Sequence, residues 1–304
     1  MKKIKIILLY LFLAASTQAQ TLTFSDPHLL EALIDEDIDE NEDGKIQSAE
    51  ALAITELDVD DKEIVSLAGM EAFQNLEIFY CNNNLIKSLT PLISLKKLTE
   101  LYFSHNEVPV IPNEVLLNLT IIECTYNKFT TLSFASAKKM EDIDCSDNPL
   151  LVSLNVAGLT QLQHINFNDC AIATIDLKSN IELSLIKCSH NKLAALNLLI
   201  NKKLEYVDCS NNKLTSLQVS NLSLLNNLIC SSNLLTSISL KGLSALSNFE
   251  IAYNKLTTID LSDLSNVYLI AVNDNQLTSL DVRPCTKLGA LYTSSNAPTF
   301  KIIR

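Results

Sequence analysis

The chain has no tryptophan, three methionines, five glycines and seven prolines among its 304 residues. So little glycine and proline, beside a hydrophobic content of 47%, excludes a collagen-like or disordered chain. Basic residues are also scarce, 23 against 35 acidic, for a formal charge of −12. Nucleic acid and insertion into an anionic membrane are thereby set aside, since a polyanionic partner calls for a cationic surface that displaces counterions. Beyond residue 15 no apolar run approaches the ~20 residues that a spanning helix needs. No Cys-x-x-Cys and no cluster of Cys with His occurs, which argues against zinc, and the four histidines (His28, His105, His164, His190) form no spaced set.

What is present begins with an address. MKKIK is a basic head, IILLYLFLAA a short apolar run and STQAQ a small, polar tail, so residues 1–19 read as a secretory signal peptide cleaved after Ala19. No cysteine follows the cleavage point, which disfavours a lipid anchor. The expected location is secreted, extracellular or at the cell surface, with the periplasm as the alternative.

Charge then divides the mature chain. Between Asp26 and Glu63 stand 15 carboxylates against Lys45 and Lys62 alone, whereas residues 64–304 carry 20 acidic and 18 basic residues. The first stretch, residues 20–63, reads as an acidic N-terminal cap and the second, 64–304, as a repeat array. The repeat has a period of 21: LEIFYCNNNLIKSL at Leu76, LTIIECTYNKFTTL at Leu119, LSLIKCSHNKLAAL at Leu183 and LEYVDCSNNKLTSL at Leu204 are four of eleven copies. Counting from the first residue of each copy, offsets 0, 3, 5, 10, 13 and 15 are apolar and point inward, each coil burying what it could not bury alone. Asn stands at offset 8 in ten copies: Asn84, Asn106, Asn127, Asn148, Asn191, Asn212, Asn233, Asn254, Asn275 and Asn296. Its amide is suited to bond backbone groups that the inward turn leaves unpaired, and Cys170 takes its place in the fifth copy.

The pattern LxxLxCxxNxLxxLxL resembles the short leucine-rich repeat class of secreted, Bacteroidetes-like bacterial proteins. The resemblance implies a β-rich solenoid of the α/β class, a right-handed coil of about 11 repeats of 21 residues with parallel strands, closed by a small helical cap. The second half of each repeat, as in LAALNLLIN from Leu193, restates the first half and lacks a helical period, so strands, or strand-like extended segments, are expected on both faces, with parallel ladders joining each coil to its neighbours. Six cysteines, Cys81, Cys124, Cys145, Cys188, Cys209 and Cys230, fall at inward offset 5 and read as small buried hydrophobes. The state of Cys170 and Cys285 is left open.

Within the cap, DENEDGKIQSAE (residues 39–50) resembles the EF-hand calcium loop. The resemblance implies a structural Ca2+ held by side chains of Asp39, Asn41 and Asp43, the carbonyl of Lys45, Gln47 directly or through water, and Glu50. Gly44 would make the sharp turn. A solvated acidic loop without an ion is the alternative.

If the first half-repeat is the inner strand, offsets 2 and 4 face a ligand. Core offsets hardly vary, while these two do. Ile78, Tyr80, Tyr102 and Ile121 form an aromatic and apolar patch beside Glu123, Asp142 and Asp144. The favoured expectation is a non-enzymatic exported recognition module for a protein or surface glycan. Three alternatives stand beside it: ordinary strand-surface residues; an assembly element (monomer or edge-paired dimer), in which Phe300–Ile303 folds back as a closing strand, or the open edge of the last repeat pairs with another chain, or a further domain has been lost; and a glycoside-cleaving enzyme using Asp142 and Asp144.

Overall fold

The computed structural model describes residues 20–304, and the signal-peptide reading of residues 1–19 lies outside them. In each repeat the chain stays extended for only three residues before it turns, and the middle one, at offset 3, is buried between two half-exposed neighbours. Twelve such strands, from Glu56–Asp58 to Ala290–Tyr292, form one parallel sheet. Register is strictly coil on coil, so that Phe79 lies beside Leu101 and Leu101 beside Ile122. The core is a continuous stack along the solenoid, with the offset-0, -3 and -5 residues wholly or nearly wholly buried in most coils.

The sheet has one strand more than the sequence count. Glu56–Asp58 belongs to a coil starting at Ile54, with Leu57, Val59, Ile64 and Leu67 buried at the inward offsets. Lys62 stands where the asparagine would be, which hides this coil from the repeat pattern. The ladder therefore starts inside the segment 20–63 that the sequence assigns to the cap.

The asparagines at offset 8 tie neighbouring coils together. Asn212 donates from Nδ2 to the carbonyls of Cys188 in the preceding coil (2.8 Å) and Ser210 in its own (3.1 Å), and its Oδ1 accepts from Leu193 N (2.9 Å). The same three-way pattern holds at Asn84, Asn106 and Asn233. Cys170 reproduces one part of it, its thiol donating to Cys145 O at 3.5 Å. Just before each ladder residue, at offset 7, all twelve coils place a non-glycine residue at positive φ, from Asp61 (58°) to Ser295 (57°). Asn and Asp tolerate this left-handed region; His105, Tyr126 and Tyr253 hold it because the buried amide bonds on either side define the turn.

The second face is as expected only in part. Instead of a continuous ladder it carries three isolated pairs, Thr131–Ser133 with Ser153–Asn155, Ala195–Asn197 with Ser216–Gln218, and Ser279–Asp281 with Lys301–Ile303. The early coils turn through short helical segments here, Met70–Ala72, Thr90–Ser94 and Asn113–Leu116. Pro91 and Pro112 lack an N–H for a ladder and favour a helical start. The later breaks coincide with Ile at offset 13 (Ile175, Ile238, Ile259), half-buried, where the paired strands carry buried leucines such as Leu154 and Leu196. The tail Lys301–Ile303 does not fold back: it runs parallel to Ser279–Asp281 as the second-face strand of its own coil.

The cap docks on the first coil through helix α1 (Pro27–Asp35) and the strand-like segment before it. Asp26 caps α1, its Oδ1 accepting from His28 N (3.0 Å), while its Oδ2 accepts from Val65 N (2.6 Å) and Ser66 N (2.9 Å) of the solenoid. Phe24 packs against Gly69, whose φ of +113° and lack of a side chain make room for the ring.

Candidate functional site

On the exposed side of the sheet, offsets 2 and 4 bring the residues singled out in the sequence into neighbouring rows. Tyr80 and Tyr102 are register partners whose rings stack at 4.6 Å and 12°. Tyr102 donates its hydroxyl to Glu100 at 2.8 Å. Burial, then this bond and the Glu100 charge, push the Tyr102 phenol well above its ordinary range, and burial with Glu56 and Glu100 raises Tyr80 as well. Both rings therefore stay neutral. Ile121 pairs with Asp142 and Glu123 with Asp144. Glu123 accepts from Ser104 Oγ (3.1 Å), Asp142 lies 2.9 Å from His164 Nδ1, and Asp144 accepts from Ser146 Oγ (2.7 Å) and Asn166 Nδ2 (2.8 Å).

The relief is shallow. A hollow of ≈ 130 Å³ lined by Ile121, Glu141, Asp142, Gln163 and His164 lies on this face. Asp142 and Asp144 are each engaged by neighbours of their own coil or the next. A broad, patterned surface of this kind suits contact with an extended partner better than enclosure of a small substrate.

Two contributors escaped the sequence reading. Glu56 and Asp58 of the hidden first coil flank Ile78 and Tyr80, and the signal that would have found them is the inward set Leu57, Val59, Ile64 and Leu67. Along the edge of the face, His105 and Tyr126 at offset 7 stack at 4.2 Å and 15°.

The loop 39–50 folds on its own backbone. Asp39 accepts from Asp43 N (3.2 Å) and Gly44 N (2.7 Å), Asn41 from Asp43 N (2.9 Å), and Asp43 from Lys45 N (3.0 Å). Gly44 has φ +76°, and the chain beyond it is held by Leu22 N to Ile46 O (2.8 Å) before helix α2 (Ser48–Ala53) begins. Gln47 Nε2 donates to both oxygens of Asp43 at 3.1 Å, an N–H group satisfying the carboxylate as a cation would. Asn41 Nδ2 donates to Gln47 Oε1 at 2.7 Å, and Glu50 accepts from Gln47 N at 2.7 Å, capping α2. Among the described residues no three Asp, Glu, His or Cys side chains converge as a ready-made metal set. The donor chemistry and the backbone turn fit a hard cation. The amides of Asn41 and Gln47 would have to present oxygen in place of nitrogen, and Glu50 would have to divide its carboxylate between cap and ion.

All eight cysteines are buried, free thiols. Burial holds the six at offset 5 well above the ordinary thiol range, pushes Cys170 up to about 12 and Cys285 up to about 11. They pack as apolar side chains, and thiolate chemistry is suppressed.

The model for Leucine Rich repeats (2 copies) matches residues 74–113. The chain is 30% identical over 132 residues to adenylate cyclase of Schizosaccharomyces pombe, a match covering 36% of this chain and 8% of the cyclase, so it spans only a small part of that relative. Among solved structures it is similar to the functional domain of InlJ from Listeria monocytogenes, which includes a cysteine ladder (25% identity, TM-score 0.68, 83% of this chain and 65% of that one). It is equally similar to the internalin InlF of Listeria monocytogenes (25% identity, TM-score 0.68, 92% and 91%). The plant peptide hormone receptor RGFR1 in complex with RGF2 shares the fold (20% identity, TM-score 0.64, 77% and 44%). No helix among the described residues is long and apolar enough to cross a membrane. The coil-on-coil parallel sheet, the repeat and these likenesses agree: the fold is that of a leucine-rich repeat solenoid.

Proposed function

We propose that this protein is an exported, non-enzymatic recognition module that binds a polypeptide on the exposed face of its twelve-stranded sheet. The observation that carries the reading is the make-up of that face: a repeating apolar core and asparagine ladder present side chains at offsets 2 and 4 that change along the sheet, with the stacked Tyr80 and Tyr102 as an anchor. Leucine-rich repeat proteins commonly mediate protein binding, and RGFR1, solved with RGF2, shares the fold. Aromatic pairs next to hydrogen-bonding groups are favourable anchors for peptide side chains.

Selection of a random-peptide display library on residues 20–304 tests this, with the Tyr80→Ala/Tyr102→Ala variant as counter-screen. Enriched peptides that lose binding to the variant support the reading. Peptides that bind both proteins equally, or bind only elsewhere, contradict it, and selective retention of a glycan array would move the ligand class to sugar.

The loop 39–50 is proposed as a structural calcium site that stiffens the cap, held by Asp39, Asn41, Asp43, the Lys45 carbonyl, Gln47 and Glu50. Calorimetric calcium binding that disappears in Asp39→Ala/Glu50→Ala is the expected outcome; heat unchanged by that variant would remove the site. Export rests on the reading of residues 1–19, and an exported product whose N-terminus is Gln20 would establish it.

A further inference from the structure

The near-neutral charge of the repeats hides a segregation. At the outward offsets 1, 2, 4, 6 and 7 of the coils from Leu76 onward there are twelve carboxylates and a single basic residue, Lys187, whereas the remainder of residues 64–304 carries eight carboxylates and seventeen basic residues. The solenoid is thus acidic along the sheet face and basic over the rest of its surface. The acidic side is also left without internal counter-charge. Every ion pair that a Lys or Arg makes among the described residues, such as Lys87 with Glu107 or Lys203 with Glu182, lies off this face. The face carboxylates find only hydroxyls, amides and the imidazoles of His164 and His190. The density peaks over three consecutive coils, where Glu123, Glu141, Asp142, Asp144, Asp147 and Asp169 stand within one short stretch of sheet.

We propose that the partner of the sheet face is a cationic polypeptide segment, rich in arginine and lysine, lying extended along the sheet. The proposal rests on the recognition reading above and names the chemistry of its ligand. Uncompensated like charges on one face raise the local potential, steer a cationic chain toward it and gain most from neutralisation. The neutral phenol pair Tyr80 and Tyr102, bracketed by Asp58 and Glu100, adds a stacking surface on which a guanidinium is held by cation–π attraction and a carboxylate together. An extended chain rises about 3.3 Å per residue against about 4.8 Å per coil, so ten residues cover roughly seven coils and reach both the tyrosines and the carboxylate peak.

The test uses fluorescein-labelled deca-arginine and deca-glutamate with residues 20–304, followed by fluorescence anisotropy in chelator at two salt concentrations. One variant, Glu123→Gln/Asp142→Asn/Asp144→Asn, neutralises the face; a second, Glu107→Gln/Glu114→Gln/Glu182→Gln, removes the same charge elsewhere; melting curves matching the parent show that both fold. Deca-arginine is expected to bind, to weaken about tenfold in the face variant and to be unaffected by the other, while deca-glutamate does not bind. Absence of deca-arginine binding, or equal weakening in both variants, overturns the proposal. If deca-arginine fails while uncharged library peptides bind the face, the ligand chemistry is wrong and the recognition reading stands; if no peptide of either kind binds there, both fall.

Discussion

Replacing a ladder asparagine by alanine should be among the most costly single substitutions in this protein, and Asn212 shows why. Its side chain is buried and closes three strong contacts, to Cys188 O at 2.8 Å, to Ser210 O at 3.1 Å and from Leu193 N at 2.9 Å. In Asn212→Ala the Leu193 N–H loses its partner in a region closed to water, and the Cys188 carbonyl keeps only the longer bond from Asn191 Nδ2 at 3.4 Å; a buried orphan of this kind costs about 1–3 kcal/mol. The orphan and the weakened carbonyl together come to about 2–4 kcal/mol. Asn212→Asp should be no milder at neutral pH, because it keeps the acceptor but turns a second oxygen toward three carbonyls. Equilibrium urea unfolding of the parent and both variants measures the loss, and hydrogen exchange locates it, since a solenoid transmits damage chiefly to neighbouring coils. A loss below about 1 kcal/mol for Asn212→Ala would refute the reasoning, for it would mean that water or a backbone shift satisfies those groups.

Other consequences are as direct. Burial raises the carboxyl of Asp26, but bonds from the N–H groups of Ser66, Val65 and His28 outweigh this and hold it below the usual carboxylate range. Its contribution is therefore complete above the unfolded value of about 4 and drains as pH falls through the lower folded value; Asp26→Asn should melt earlier at neutral pH, with the gap to the parent closing as the pH falls below the unfolded value. Asn180 and Asn201 are wholly buried with an unpartnered Oδ1 at an offset where Leu159 and Leu222 stand in other coils. Asn180→Leu/Asn201→Leu should stay within about 1 kcal/mol of the parent by urea unfolding, since gained apolar burial offsets bonds lost to carbonyls; a loss like that of Asn212→Ala would contradict this. A thiol reagent should leave all eight cysteines unmodified in the native protein and titrate eight after denaturation, and fewer than eight would reveal a disulfide.

Much of this architecture was legible in the order of residues because a solenoid writes the same local contacts once per coil. The apolar offsets, the asparagines and the cysteines each repeat a single environment, so Leu204, Val207 and Cys209 could be placed inward from their spacing alone. The first coil was not legible because Lys62 breaks the asparagine signature while Leu57, Val59 and Ile64 keep the burial. Which coils pair on the second face was not legible, because LxxLxL spacing sets which side chains turn inward and not whether adjacent backbones approach closely enough to pair. Asp26 illustrates a different gap. Its role as a helix cap follows from the Pro27 beside it, but its bonds to Val65 and Ser66 join residues about forty positions apart, which no local pattern announces. The charge segregation was likewise hidden by the total, since acidic and basic residues of the repeats nearly cancel until they are sorted by offset.

The recognition claim is tested most directly by photo-crosslinking a library-selected peptide to two versions of the protein, one carrying a photoreactive residue at Tyr102 on the sheet face and the other at Leu224, which is 50% exposed and lies outside the sheet. The account predicts a crosslink at position 102 that excess unlabelled peptide abolishes, and none at 224. A crosslink at 224 with none at 102 would contradict it.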